Sequence, residues 1–118
     1  MRQTWAGQMM AAMTEPAHFF CRLIPPRIDF MQTMTDAERG IMQRHVAYWT
    51  GKVASGNALV FGPVADPAGG YGIGIMRAAD LAEMEALRDA DPAIQAGVGF
   101  RYEILPMPRV VSAAVATG

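Results

Sequence analysis

The sequence predicts an α+β domain whose elements run β-α-β-β-α-β. Three observations lead there. Four short segments are rich in aromatic and branched apolar residues, and three of them stop at proline. Between them lie two segments with apolar residues at helical spacing, each opened by a polar pair at capping distance. The chain has 118 residues, enough for one domain that buries roughly two-thirds of the surface its unfolded form would expose.

The first strand is "AHFFCRLIP" (17–25), ended by Pro25-Pro26, and a loop follows to Met34. "TDAERGIMQRHVAYWTGKVASG" then reads as a helix, with Thr35 and Glu38 as its capping box and Gly56 as its stop. At 100° per residue Tyr48, Ile41, His45, Trp49, Met42, Val53 and Val46 share one stripe, with Arg39, Gln43, Arg44 and Thr50 on the far side. Residues 57–66, "NALVFGPVAD", read as the second strand and "PAGG" (67–70) as a turn. In the third strand, "YGIGIMRA" (71–78), Tyr71, Ile73 and Ile75 share one face; Gly72 and Gly74 share the other and admit a close approach to the backbone. "DLAEMEALRDA" (80–90) is the second helix, capped by Asp80 and Glu83, with Leu81, Met84 and Leu87 inward. A turn from Asp91-Pro92 to Gly97 leads to the last strand, "VGFRYEILP" (98–106).

Two split β-α-β units in this order make the ferredoxin-like arrangement, a four-stranded antiparallel sheet with two helices on one face. The other face stays open. The first strand carries apolar residues toward both sides, Phe19, Cys21 and Leu23 against Phe20 and Ile24, so the open face calls for a partner. A homodimer closing sheet on sheet is the simplest one.

Apolar residues make up 52% of the chain and charged ones 18%, a globular balance. The net charge of −1 and the scattered basic residues argue against nucleic acid and anionic membrane as partners. No apolar run approaches the roughly 20 residues that cross a bilayer, so the cytoplasm is the expected location. The single cysteine, Cys21, excludes an internal disulfide and reads as a small core residue. One cysteine and two separated histidines argue against a metal centre. No cofactor is expected; haem would have only His45 as a well-placed axial ligand. Residues 1–16, "MRQTWAGQMMAAMTEP", read as a flexible extension in which Met13 is a sensible alternative start, ahead of a domain over 17–109. Residues 110–118 form a tail that keeps apolar residues to pack on a neighbouring surface.

His45 is the first candidate for chemistry. On an apolar stripe it is either a core histidine with both nitrogens satisfied or a pocket histidine able to carry a proton near neutral pH. Asp91, ahead of Pro92, fits an N-cap or a catalytic carboxylate. Arg22 fits either a solvated strand position or a partner for an anionic substrate. Tyr48, Trp49 and Tyr71 fit core packing and pocket lining equally. Gly62-Pro63 and Gly69-Gly70 lack the lysine and hydroxyl ending of a phosphate loop, and no dinucleotide fingerprint follows a strand.

Taken together, a histidine in the first helix, "GNALVFGPV" with Gly62-Pro63, "ADPAIQAG" with Asp91-Pro92, and a final strand ending "EILPM" resemble the YCII-related (YciI-like) proteins, from about Phe19 to Met107. The resemblance implies a ferredoxin-like fold that dimerises as in the dimeric α+β barrel proteins, which include muconolactone isomerase. It also implies that His45 and Asp91 are the paired histidine and aspartate facing a pocket. Where those proteins often carry a serine or similar polar group near the pocket, this chain has Asp66 nearby. Such a pair, without a cofactor, suits proton transfer in elimination or isomerisation of a small cyclic or aromatic compound. Arg22, Tyr48, Trp49, Gly62, Pro63 and Tyr71 are the expected substrate contacts. The rival reading is a non-catalytic ligand-binding or protein-interaction module on the same dimeric scaffold.

Overall fold

The computed structural model describes residues 17–113. The expected N-terminal extension over 1–16 and the end of the tail lie outside them. Strands β1 (Ala17–Ile24), β2 (Ala58–Val64), β3 (Tyr71–Ala78) and β4 (Arg101–Met107) form one antiparallel sheet in the order β2-β3-β1-β4. Helices α1 (Phe30–Thr33), α2 (Asp36–Ser55), α3 (Leu81–Asp89) and α4 (Pro92–Gln95) complete an α+β, ferredoxin-like arrangement with an open sheet. Two of these helices are single turns additional to the expected pair.

The caps act as the residue types demand. Thr35 Oγ1 accepts from the Glu38 amide at 3.1 Å and Glu38 Oε1 accepts from the Thr35 amide at 2.9 Å, a closed capping box. Gly56 ends α2 at φ 86°, a left-handed position that favours glycine. At α3, Asp80 Oδ1 accepts from the Glu83 amide, and Glu83 reaches the Ala79 amide at 3.4 Å.

Alternation along the strands sends one set of side chains under the helices. Phe19, Cys21, Ala58, Met76 and Ala78 pack with Trp49 of α2 and Met84 of α3, and Leu23 packs with Ile41 and Ala93. Each fully buried side chain of Phe or Met size contributes roughly 1.5–3 kcal/mol. The Cys21 sulfur lies 3.9 Å from Met84 Sδ, and burial pushes its thiol up to about 12.

The structure departs from the sequence reading at four places. The expected loop before Met34 contains α1, because Phe30 is buried and stacks edge-on against Phe100 at 5.1 Å. Arg27 fastens this turn: it donates to Thr33 Oγ1, to the Thr33 carbonyl and to both oxygens of Glu38, each at 2.8 Å. The last strand starts at Arg101 rather than 98, since Gly97 and Gly99 take φ 66° and 110°, which breaks the extended chain. The apolar stripe of α2 is only partly covered, with Ile41 and Trp49 buried but Val46 and Val53 exposed. Leu81, expected inward, is half exposed; α3 meets the core through Met84 and Leu87 instead.

On the outer sheet face Phe20 and Ile24 are half-buried, while Val60 and Leu105 are 52% and 58% exposed. Beyond Met107 the chain crosses toward β2, where Val110 and Val111 border Leu59, Val60 and Ile75. Among the described residues no helix is long and apolar enough to cross a membrane.

Candidate active site

A cavity of about 390 Å³ opens between α2 and the inner face of the sheet. Its origin is in the sequence. Cys21 faces Gly74 and Leu23 faces Gly72 across β1 and β3, so the strand beneath α2 offers no large side chain there. A Cβ on Gly74 would collide with the flexible end of Met76, and one on Gly72 would meet Leu23 Cβ at 3.5 Å. The space thus left is walled by Phe61 and Pro63 from β2, Phe30 and Met31 from α1, and Tyr102 from β4. Val46 is exposed because it overhangs this cavity instead of packing on the sheet.

His45 and Trp49, one helical turn apart on α2, supply the cavity's polar groups on that side. Behind them sits Asp91, fully buried at 0% exposure. His45 Nδ1 lies 3.0 and 2.9 Å from its two carboxylate oxygens. Trp49 Nε1 donates to Oδ2 at 2.9 Å, the Tyr102 hydroxyl to Oδ2 at 2.5 Å, and the Ala93 amide to Oδ1 at 2.8 Å. The last of these is the N-cap of α4, so Asp91 serves both roles the sequence left open for it as an N-cap and as a partner of His45.

Every neighbour that can only donate does so toward this carboxylate, which therefore accepts throughout and is ionised. Burial alone would raise the Asp91 carboxyl, but hydrogen bonds from His45, Tyr102 and Trp49 hold it below the ordinary range. An ionised carboxylate at Nδ1 places the imidazole hydrogen there and leaves Nε2 as an acceptor in the neutral ring. Tyr102 is driven in the other direction: burial, then the Asp91 charge, keep its phenol protonated far above the usual tyrosine range.

The expected contacts divide. Trp49, Gly62, Pro63 and Tyr71 border the cavity, although the Tyr71 ring turns to the opposite face under the Arg22 guanidinium, 4.1 Å from its centroid. Arg22 itself lies outside the lining: it alternates with Cys21 and Leu23 on β1 and so faces away from the helices, 3.8 Å from Glu103. Tyr48 also lies outside it, because its hydroxyl is drawn to the Leu87 carbonyl at 2.7 Å and its ring packs under Lys52 and against Trp49. Asp66 caps its own turn through the Ala68 amide and takes no part in the cavity.

Tyr102 is the residue the sequence reading missed. It occupied an inward position of the last strand, and a hydroxyl sent inward needs a partner, which was the available signal. Among the described residues no group of three His, Cys, Asp or Glu is placed to hold a metal ion. No curated protein and no solved structure matches the chain. The model of the YCII-related domain matches residues 18–108, and the chain belongs to that family.

Proposed function

We propose that the cavity is a small-molecule site in which His45 moves a proton without a cofactor, in elimination or isomerisation of a small cyclic or aromatic compound. The observation that carries this reading is the placement of His45 between the cavity and the buried Asp91 carboxylate. Asp91 fixes the ring tautomer, so Nε2 is ready to accept a proton from a bound molecule. The imidazolium formed is balanced by the same carboxylate, and Nε2 then returns the proton to another atom or to the leaving group.

The test is wash-in of solvent deuterium at acidic C–H positions of small cyclic enones, followed by NMR. His45→Gln should slow it by roughly 100-fold or more, within the usual range for general acid–base catalysis. A rate equal in both proteins would end this reading. A non-catalytic ligand-binding module is favoured by one observation, that the Tyr102 hydroxyl and the Trp49 indole N–H on the lining are both committed to Asp91.

The proposed assembly is a cytoplasmic homodimer closed sheet on sheet, as in the dimeric α+β barrels. Its support is the outer face, where His18 Nε2 and Arg22 Nε are buried without a hydrogen-bond partner among the described residues, beside the apolar Phe20, Leu105 and Val60.

A further inference from the structure

Resting on the reading of the cavity as the ligand site, we propose that it selects uncharged, flat, apolar molecules that donate one hydrogen bond, and turns away carboxylates. The first ground is the tautomer. With Nδ1 held by both oxygens of Asp91, the cavity-side nitrogen is the acceptor whenever the ring is neutral, and a ligand bound to that form brings the hydrogen. The second ground is charge. Among the described residues no lysine or arginine lines the cavity. Arg22 is on the opposite sheet face against Tyr71, and Arg27 is bound to Glu38. Arg39 borders only a neighbouring surface groove, 58% exposed and 3.8 Å from Asp36. A carboxylate entering would lose its water and find no lysine or arginine on an otherwise apolar lining, with the Asp91 charge behind His45 opposing it. A hydroxyl loses little on entry. The third ground is shape: Gly72 and Gly74 add no side chain to the sheet wall opposite α2, where Leu23 and Met76 form an apolar floor with Phe61 and Trp49 beside it, which suits a ring lying flat.

The test uses the full chain at pH 7 and two probes of nearly the same shape, 2-naphthol and 2-naphthoate, with binding measured by titration calorimetry. The naphthol should bind at least tenfold more tightly. Val46→Arg, at an exposed position overhanging the cavity, should then raise naphthoate affinity at least tenfold. Equal or tighter binding of naphthoate by the parent protein overturns the proposal, as does failure of naphthol to bind at millimolar concentration. A well-folded Val46→Arg protein that gains nothing for naphthoate also overturns it. Binding is read here without turnover, so absent deuterium wash-in would defeat proton transfer and leave this selectivity standing. Tight naphthoate binding with wash-in intact would do the reverse.

Discussion

The Tyr102 hydroxyl lies 2.5 Å from Asp91 Oδ2, so the last strand fastens the same carboxylate that α2 holds through His45 and Trp49. Trp49 Nε1 also reaches the Tyr102 oxygen at 3.1 Å, closing the group. Three elements, α2, the first turn of α4 and β4, therefore converge on one buried charge, and each contact lowers the cost of burying it.

Removing one donor should be felt as lost stability. Tyr102→Phe keeps the ring on the cavity wall and deletes only the hydroxyl. It should cost about 1–3 kcal/mol, the usual penalty for leaving a buried polar partner short of a hydrogen bond. Urea denaturation of both proteins measures it. An unchanged midpoint would mean the hydroxyl contributes nothing to holding Asp91.

Asp91→Asn separates the cap from the pairing. The asparagine oxygen can still accept from the Ala93 amide, which preserves the start of α4. Its amide nitrogen then faces His45 as a donor, and the ring should shift its hydrogen from Nδ1 to Nε2. Nitrogen-15 chemical shifts of the two ring nitrogens report this directly. Identical shifts in both proteins would reduce Asp91 to a cap.

Acid should weaken the fold through two carboxyls whose native values lie below their unfolded ones. Hydrogen bonds from Arg27, then from the Thr35 amide, hold Glu38 down at about 2, and Asp91 is lowered as described. Unfolded references are about 4.3 for Glu and 3.9 for Asp. A depressed native value stabilises the fold above the unfolded value and loses that contribution as pH falls through the native one. Stability should accordingly decline from about pH 4 downward, and Glu38→Gln should flatten part of that decline between about pH 4.3 and 2. Urea midpoints across this range check it, and matching slopes in the two proteins would contradict the role of Glu38.

The legible parts of the sequence were those set by local rules. Thr35 with Glu38, Asp80, Gly56 and Asp91-Pro92 announce helix ends because capping is a matter of neighbouring residues. The illegible parts depend on what the chain meets elsewhere. Nothing next to Phe30 says that Phe100 will cover it and make α1 a folded turn. Val46 belongs to the apolar stripe by spacing, yet the glycines of β3 leave space where the stripe would have packed. Arg22 and Tyr48 were candidates by residue type, and strand alternation and the Leu87 carbonyl turn them away from the cavity. The direction of Arg22 follows from the two-residue alternation of its strand, whereas that of the Tyr48 hydroxyl depends on a carbonyl 39 residues away.

The proposed dimer gives the last prediction. Leu105 and Val60 are more than half exposed on the outer face of a lone chain, where such residues gain nothing, and Leu105 pairs across β1 with Phe20. Light scattering at micromolar concentration should return about twice the 12.7 kDa chain mass. Leu105→Asp places a charge in the middle of that face while removing little packing within the chain, because the side chain is 58% exposed. The variant should keep its fold by circular dichroism and scatter as a single chain, since an unpaired carboxylate buried between two sheets is strongly unfavourable. A parent protein that scatters at 12.7 kDa would refute the assembly. A Leu105→Asp variant that stays dimeric would move the interface to another surface.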